Sequence, residues 1–194
     1  MIDDDAPIET MWSGNYIAAK RQGRWEYIVR TRGVRAAAIV PIDTSEPGRP
    51  HIVLVEQYRV PLARMSLELP AGLIGDGADV AGESALTAAI RELEEETGYR
   101  AAAMTDLGDF FSSPGVITES LSLFLATGLT RAGPGGGVGD EDILVHRIPL
   151  ADLKAYVAQR RAEGTAIDAK ILVALGAALL APSGIAGTLA GEKA

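Results

Sequence analysis

The chain of 194 residues has no cysteine, only two histidines, and aromatic residues at 5% of its composition. Without cysteine, the protein has no disulfide bond, no thiolate metal site and no cysteine nucleophile. Any bound metal ion must depend mainly on oxygen ligands, because only His51 and His146 offer ring nitrogens. We expect both histidines to be structural, because one starts a predicted strand and the other lies within one.

A long apolar run is also missing. The longest candidate, Ile171–Pro182, is interrupted by Gly176 and falls short of the ~18 residues that a membrane-spanning helix needs. The acidic start, residues 1–5, is unlike a signal or transit peptide, so we expect a cytoplasmic protein. The formal net charge of −8 argues against nucleic-acid binding. An anionic small substrate stays compatible with it, because a divalent metal ion and a few arginines reverse the field locally.

The pattern of apolar residues predicts a small N-terminal appendage, a main domain and a tail. Two β-rich runs, Trp12–Lys20 and Arg24–Arg30, predict a hairpin within residues 1–32. The main domain is expected at residues 33–182, in the α+β class, and a flexible tail at 183–194. Its predicted strands are Ala36–Ile42, Ile52–Tyr58, Ala101–Phe111, Leu121–Leu129 and Ile143–Ile148, and its predicted helices are Glu83–Thr97, Ala151–Glu163 and Asp168–Leu180.

Three glutamates of the first predicted helix share one face. Glu92 lies three and four positions before Glu95 and Glu96, so their carboxylates converge within one turn. Like charges at this spacing repel unless a cation binds them, and carboxylate oxygens suit Mg²⁺ or Mn²⁺. Arg91 can orient one of the carboxylates. An acidic run of this kind taken alone is usually a solvated helix face, so the wider pattern has to decide.

That pattern is Gly77, five residues, Glu83, seven residues, Arg91-Glu92-Leu93, one residue, Glu95-Glu96, one residue, and Gly98-Tyr99. Seven fixed identities and two apolar positions arise by chance at about one start in a billion. The segment resembles the complete box of the Nudix hydrolases. The resemblance implies an α/β/α sandwich with a mixed sheet, and hydrolysis of a nucleoside diphosphate linked to another group.

The resemblance also implies roles for the residues of the box. Glu92 and Glu96 become metal ligands, and Glu95 becomes a ligand or a water-mediated contact. Arg91 and Glu83 become supports of the site. The implied cofactor is Mg²⁺, as two or three ions, with Mn²⁺ as an alternative.

Residues upstream of the box narrow the resemblance to the ADP-ribose pyrophosphatase branch. Glu56-Gln57-Tyr58-Arg59 and Glu68-Leu69-Pro70-Ala71-Gly72-Leu73-Ile74 are similar to motifs of that branch, although alone they are a strand end and a turn. By this resemblance Arg59 contacts the substrate phosphates and the carbonyl of Ala71 ligates metal. Arg32 resembles a further substrate-binding arginine.

The spacing departs from the branch at one point. The glycine of Pro-Ala-Gly is usually the first residue of the box, but here Gly72 lies five residues before Gly77. An insertion of five residues within Gly75–Gly82 explains the difference. Because Glu83 and all later positions stay in register, the metal site is expected to be unaffected.

Residues downstream of the box carry further resemblance. Pro114 falls fifteen residues after Tyr99, where this branch has a marker proline, and Glu119 is implied to lie near the terminal ribose or a metal. The acidic run that follows the glycine-rich loop Arg131–Gly139 resembles the loop that supplies the catalytic base. Either Glu141 or Asp140 takes that role, with Glu119 as a third alternative.

The expected activity is hydrolysis of ADP-ribose to AMP and ribose 5-phosphate, over a resemblance that runs from Arg30 to Leu175. Another nucleotide sugar such as GDP-mannose, or a dinucleotide, is the first alternative. A non-catalytic module that senses ADP-ribose is the second. Trp12, Trp25 and Tyr27 either stack on adenine or pack within the hairpin, and the resemblance implies a homodimer formed through the N-terminal segment.

Overall fold

The computed structural model describes residues 5–33, 35–75, 81–139 and 141–172. Its central strands are apolar on both faces: β4 (Ala36–Asp43), β5 (His51–Arg59) and β10 (Ser120–Thr127) are buried over most of their length. Strands with no polar face must be covered on both sides. β10 runs parallel to β4, and β9 (Ala103–Phe111) pairs with β10 in the antiparallel sense.

The sheet divides into two parts at β5, and this division positions the Pro-Ala-Gly turn. β5 pairs with β4 only near Ile52 and then, from Val55 onward, with β6 (Arg64–Glu68) on the same edge. β12 (Leu144–Pro149) covers the other edge of β5. β7 (Ala71–Leu73) crosses from β6 to pair with β4. The Pro-Ala-Gly turn is therefore held between two parts of the sheet.

One face of the sheet is covered by α1 (Ala85–Thr97). Ser84 caps its start by accepting a hydrogen bond from the Thr87 N–H at 3.1 Å, and Gly98 ends it with φ of 72°. Ala88, Ala89 and Leu93 pack with Ala37, Ile39 and Val53 of the sheet. The predicted helix was two residues too long at its start, because Glu83 precedes the cap.

The opposite face is covered by α2 (Leu153–Ala162), which follows a 3₁₀ turn at Leu150–Asp152. Leu153 and Ile171 pack there against Leu54 and Leu67 of the sheet. With a helix on each side of a mixed sheet, the expected α/β/α sandwich is confirmed. Residues 169–172 are helical, and the remainder of the predicted Asp168–Leu180 helix lies outside the described residues, as does the predicted tail.

The N-terminal appendage is confirmed, but it is a sheet of three strands, not two. β1 (Ile8–Ser13), β2 (Ile17–Gln22) and β3 (Trp25–Arg30) are antiparallel neighbours. The run Trp12–Lys20 was wrongly predicted as one strand, because the Gly14 N–H donates to the Ile17 carbonyl at 2.9 Å and turns the chain. Two backbone hydrogen bonds join the appendage to the main domain: the Ile28 N–H of β3 donates to the Val116 carbonyl, and the Thr118 N–H donates to the Ile28 carbonyl.

The short strands were not predicted. They are β6 and β7, named above, and β8 (Tyr99–Arg100), β11 (Thr130–Arg131) and β13 (Ala166–Ile167). Four of these strands have only two or three residues, which is too short to show an alternating pattern, whereas β6 has five residues and was missed. Across the described residues, no helix is both long enough and apolar enough to cross a membrane.

Two leucines of α1 test the packing of this helix. Leu93 is 1% exposed and Leu86 is 42% exposed. We expect Leu93→Ala to lower the free energy of unfolding by about 2–5 kcal/mol, because it removes a buried side chain and leaves a cavity. Leu86→Ala on the same helix should cost less than about 1 kcal/mol. Urea unfolding of both variants measures the difference, and equal losses would contradict the assigned burial.

Candidate active site

One arginine organises the carboxylates that surround the start of the site. The Arg91 guanidinium donates to Glu83 at 2.9 Å, to Glu92 at 2.8 Å and to Glu95 at 2.9 Å. Glu83 also accepts from the Gly75 N–H at 3.0 Å, so Arg91 ties α1 to the loop before it. The hydrogen bond from Arg91 lowers the pKa of Glu83, and Glu83 in turn raises the pKa of Arg91.

Glu96 is the buried member of the cluster. It is 4% exposed, and its carboxylate accepts from the Ala71 N–H at 3.0 Å. Burial raises the pKa of Glu96 to about 8, and the charges of Glu92 and Glu141 push it in the same direction. Glu96 therefore occupies a place where its charged form needs a cation beside it.

Gly72 lies against Glu92 so closely that no other residue fits. A Cβ built on Gly72 would lie 1.9 Å from the carboxyl carbon of Glu92. Burial raises the pKa of Glu92 as well, although Arg91 opposes the shift. The Pro-Ala-Gly turn thus brings backbone against both Glu92 and Glu96, which is why it needs glycine at this position.

The arrangement suits a hard divalent cation in chemistry, but it is not a ready-made cage. Among the described residues, no three acidic or imidazole side chains are grouped closely enough to hold a metal ion as they stand. Arg91 lies between Glu92 and Glu95 and donates to one carboxylate oxygen of each. The donors that α1 offers are carboxylate oxygens, and burial raises the pKa of both Glu92 and Glu96, an effect that a bound cation would offset.

The glycine-rich loop docks on the end of α1 and carries Glu141 to the cluster. The N–H groups of Gly136 and Gly137 donate to the carbonyls of Glu96 and Glu95 at 2.8 and 3.0 Å. The Glu141 side chain is exposed and accepts from the Val138 N–H at 2.9 Å. Its charge affects the pKa of Glu92 and of Glu96, so the three carboxylates share one electrostatic environment. Asp140 and Gly77 lie outside the described residues.

Arg59 lies on the other side of the cluster, paired with a residue that sequence reasoning did not select. Its guanidinium donates twice to Glu68, at 2.8 and 2.7 Å, from the end of β5 to the end of β6. Glu68 raises the pKa of Arg59, with smaller contributions from Glu96 and Asp168. Within the β5–β6 pair, Arg59 lies opposite Arg64 and Glu68 lies opposite Val55, so the two share one face and the long Arg59 side chain spans the distance between them.

The remaining predicted residues lie where the appendage meets the main domain. Glu119 accepts from the Arg30 Nε at 2.5 Å. Pro114 is exposed in the turn that contacts β3. Arg32 is exposed in the turn that follows β3 in the sequence. Trp12 and Trp25 are 57% and 49% exposed, so the appendage leaves both rings largely open to solvent.

The two histidines lie away from the carboxylate cluster of α1. His146 contacts buried Glu56 at 2.8 Å, on the face of the sheet beneath α2. Burial favours a raised pKa for Glu56, but hydrogen bonds from Arg160 and His146 outweigh it and hold the pKa below its usual value. His51 is 3% exposed. Its Nε2 lies 3.6 Å from a carboxylate oxygen of Glu46, so both histidines contact acidic side chains away from α1.

Comparison with known proteins places this geometry among relatives. The model of the NUDIX domain matches residues 33–167. The chain is 37% identical over 150 residues to the methanol dehydrogenase activator of Bacillus methanolicus, covering 76% of this chain and 72% of the relative. It is 39% identical over 118 residues to the ADP-ribose pyrophosphatase of Mycobacterium tuberculosis, covering 60% of this chain and 53% of the relative. The chain thus spans about half the length of that pyrophosphatase.

A solved structure is also similar. It is described as a crystal structure of an ADP compounds hydrolase, with a TM-score of 0.59 and 26% sequence identity, and the likeness covers 77% of this chain and 80% of that one.

Gly72 provides a test of the packing between the turn and the carboxylates. We expect Gly72→Ala to displace Glu92 and to weaken Mn²⁺ binding at least tenfold, because the added Cβ overlaps the carboxyl group. Gly133→Ala is the matched control, since a Cβ there meets nothing within 4 Å. Titration calorimetry with Mn²⁺ measures both. An unchanged affinity in Gly72→Ala would show that Glu92 is not needed where the structure holds it.

Proposed function

The chain belongs to the Nudix family, and on that premise we propose that it hydrolyses ADP-ribose to AMP and ribose 5-phosphate with Mg²⁺ as cofactor. The observation that carries the proposal is the burial of Glu96 beside Glu92 and the Ala71 backbone. A bound cation would offset the cost of keeping the Glu96 carboxylate charged there. The similarity to ADP-ribose pyrophosphatases supports the choice of substrate.

Glu92, Glu95, Glu96, Glu141 and the carbonyl of Ala71 would hold the metal ions, with Mn²⁺ as an alternative to Mg²⁺. A bound divalent cation supplies charge neutralisation and orientation for the pyrophosphate oxygens. Arg91 keeps Glu92 and Glu95 side by side before the cation arrives, because its charge offsets their repulsion.

The other residues act on the substrate and on the attacking water. We assign Arg59 to the pyrophosphate, because Glu68 fixes its guanidinium beside the carboxylate cluster. Arg32, Pro114 and Glu119 are assigned to the remaining parts of the substrate on the resemblance alone. Glu141 is the preferred base, because its exposed carboxylate shares the electrostatic environment of Glu92 and Glu96, and Asp140 and Glu119 are the alternatives.

We further propose that the protein is a cytoplasmic homodimer that associates through the N-terminal sheet. Exposed apolar side chains on that sheet support an interface there, because such groups gain from removal from water. They are Ile8, Met11, Trp12, Tyr16, Ile17 and Trp25.

Two glutamates of α1 test the metal site. Glu96→Gln should reduce the rate of AMP formation by about two orders of magnitude or more, because the neutral amide cannot hold a cation as a carboxylate does. Glu94→Gln should retain near-normal turnover, because the half-exposed Glu94 side chain pairs with Arg100 outside the cluster. Circular dichroism confirms the fold of each variant. Normal turnover in Glu96→Gln would refute the metal site.

A panel of substrates tests the choice of ADP-ribose. We expect the kcat/KM of ADP-ribose to exceed those of GDP-mannose and diadenosine diphosphate at least tenfold. A higher value for either competitor would assign the protein to that substrate instead. Tight binding of ADP-ribose in Mg²⁺ without formation of AMP or ribose 5-phosphate would favour the non-catalytic module that senses ADP-ribose.

A further inference from the structure

A cavity that contains Arg59 and Glu68 in its lining is not explained by the family box, because none of its lining residues belongs to α1. Its volume is about 350 Å³. Its polar lining comes from two parts of the sheet and from the segment after β13, and it consists of Arg59, Ser66, Glu68, Asp168 and Lys170. Asp168 and Lys170 lie beyond the residues 33–167 that match the family model.

The strand register places this cavity on the catalytic side of the sheet. Leu67 pairs with Ile167 and packs in the core beneath α2. Because side chains alternate along a strand, Ser66 and Glu68 point to the opposite face, which is the face that α1 covers. Electrostatics agrees with this placement: the pKa of Arg59 is raised by Glu68, and also by Glu96 and Asp168.

The chemistry of the lining suits a polyol rather than a purine. Two ion pairs, Arg59 with Glu68 and Lys170 with Asp168, alternate donors with acceptors along the wall. Sugar hydroxyls both donate and accept, so they match such a wall, whereas a purine favours an aromatic or apolar slot. The described lining contains no aromatic ring, and its apolar part consists of Pro61, Leu62, Ala166 and Ile167.

Two hydrogen bonds donated by backbone N–H groups fix the position of Asp168 in the cavity wall. The Lys170 N–H donates to the Asp168 carboxylate at 2.8 Å, and the Asp168 N–H donates to the Leu67 carbonyl at 3.0 Å. Both side chains are partly exposed, at 18% for Asp168 and 26% for Lys170. A ligand in the cavity can therefore reach them without unfolding the turn.

We propose that Asp168 and Lys170, with Arg59 and Glu68, form the subsite that binds the phosphosugar half of the substrate. The proposal rests on the proposed function, since it names where the sugar lies relative to the pyrophosphate. Asp168 and Glu68 accept hydrogen bonds from sugar hydroxyls, and Lys170 donates to sugar or phosphate oxygens. The nucleoside half then lies on the other side of the carboxylate cluster.

Binding of the two reaction products separates the two halves without any turnover. Titration calorimetry of the full chain in Mg²⁺ should show that Asp168→Asn and Lys170→Met each weaken ribose 5-phosphate binding at least tenfold. AMP binding should stay within twofold of normal. Lys154→Met, an exposed position on α2, is the matched control and should change neither. In Asp168→Asn, inorganic phosphate should weaken less than ribose 5-phosphate, because the lost contacts are to hydroxyls.

Two results would overturn the subsite. One is ribose 5-phosphate binding that neither variant changes, and the other is weakened AMP binding in its place. Asp168→Asn preserves the backbone contact that its side chain accepts, and thermal unfolding verifies both variants. If the unsubstituted protein binds mannose 1-phosphate but not ribose 5-phosphate, the proposed substrate is wrong. The subsite is then tested by measuring whether the same two variants weaken mannose 1-phosphate binding. Binding of neither phosphosugar overturns it.

Discussion

The contact of Arg91 with three carboxylates is the interaction on which the rest of the site depends. Glu92, Glu95 and Glu83 would repel one another at these distances, and one guanidinium offsets all three repulsions. Because Glu83 belongs to the loop before α1, the same contact fixes where the helix begins relative to β7. The helix can then present Glu96 inward without losing its own stability to charge repulsion.

The site combines two demands that normally oppose each other. Apolar packing of Leu93 on Ile39 and Val53 holds α1 against the sheet, and the same approach removes water from Glu96. Burial of a carboxylate costs free energy unless hydrogen bonds and a cation compensate. The Ala71 N–H provides one hydrogen bond, and the proposed metal ion provides the charge. The packing that holds α1 on the sheet therefore also creates the buried environment of Glu96.

The split of the sheet gives the site its second half. Because β4 and β6 diverge after pairing with β5, the chain between them crosses the gap and brings the Pro-Ala-Gly turn to α1. The same divergence leaves room on the α1 face for the cavity between Arg59 and Lys170. On the opposite face, beneath α2, Glu56 is enclosed by Arg160, His146 and Thr165.

The sequence by itself determined the carboxylate face of α1, its end at Gly98 and the long strands, because these depend on spacings within a few residues. Repeated side chains at helical or strand period carry that information locally. It did not reveal the turn at Gly14 that divides the first run of the appendage, nor the strands of two or three residues, which are too short to show a period. Only the tertiary structure decided that Glu96 is buried against Ala71, twenty-five positions away, and that Arg59 meets Glu68 beside Lys170. Strand pairing and helix docking set those contacts. The spacing of the contacting residues along the chain predicts neither of them.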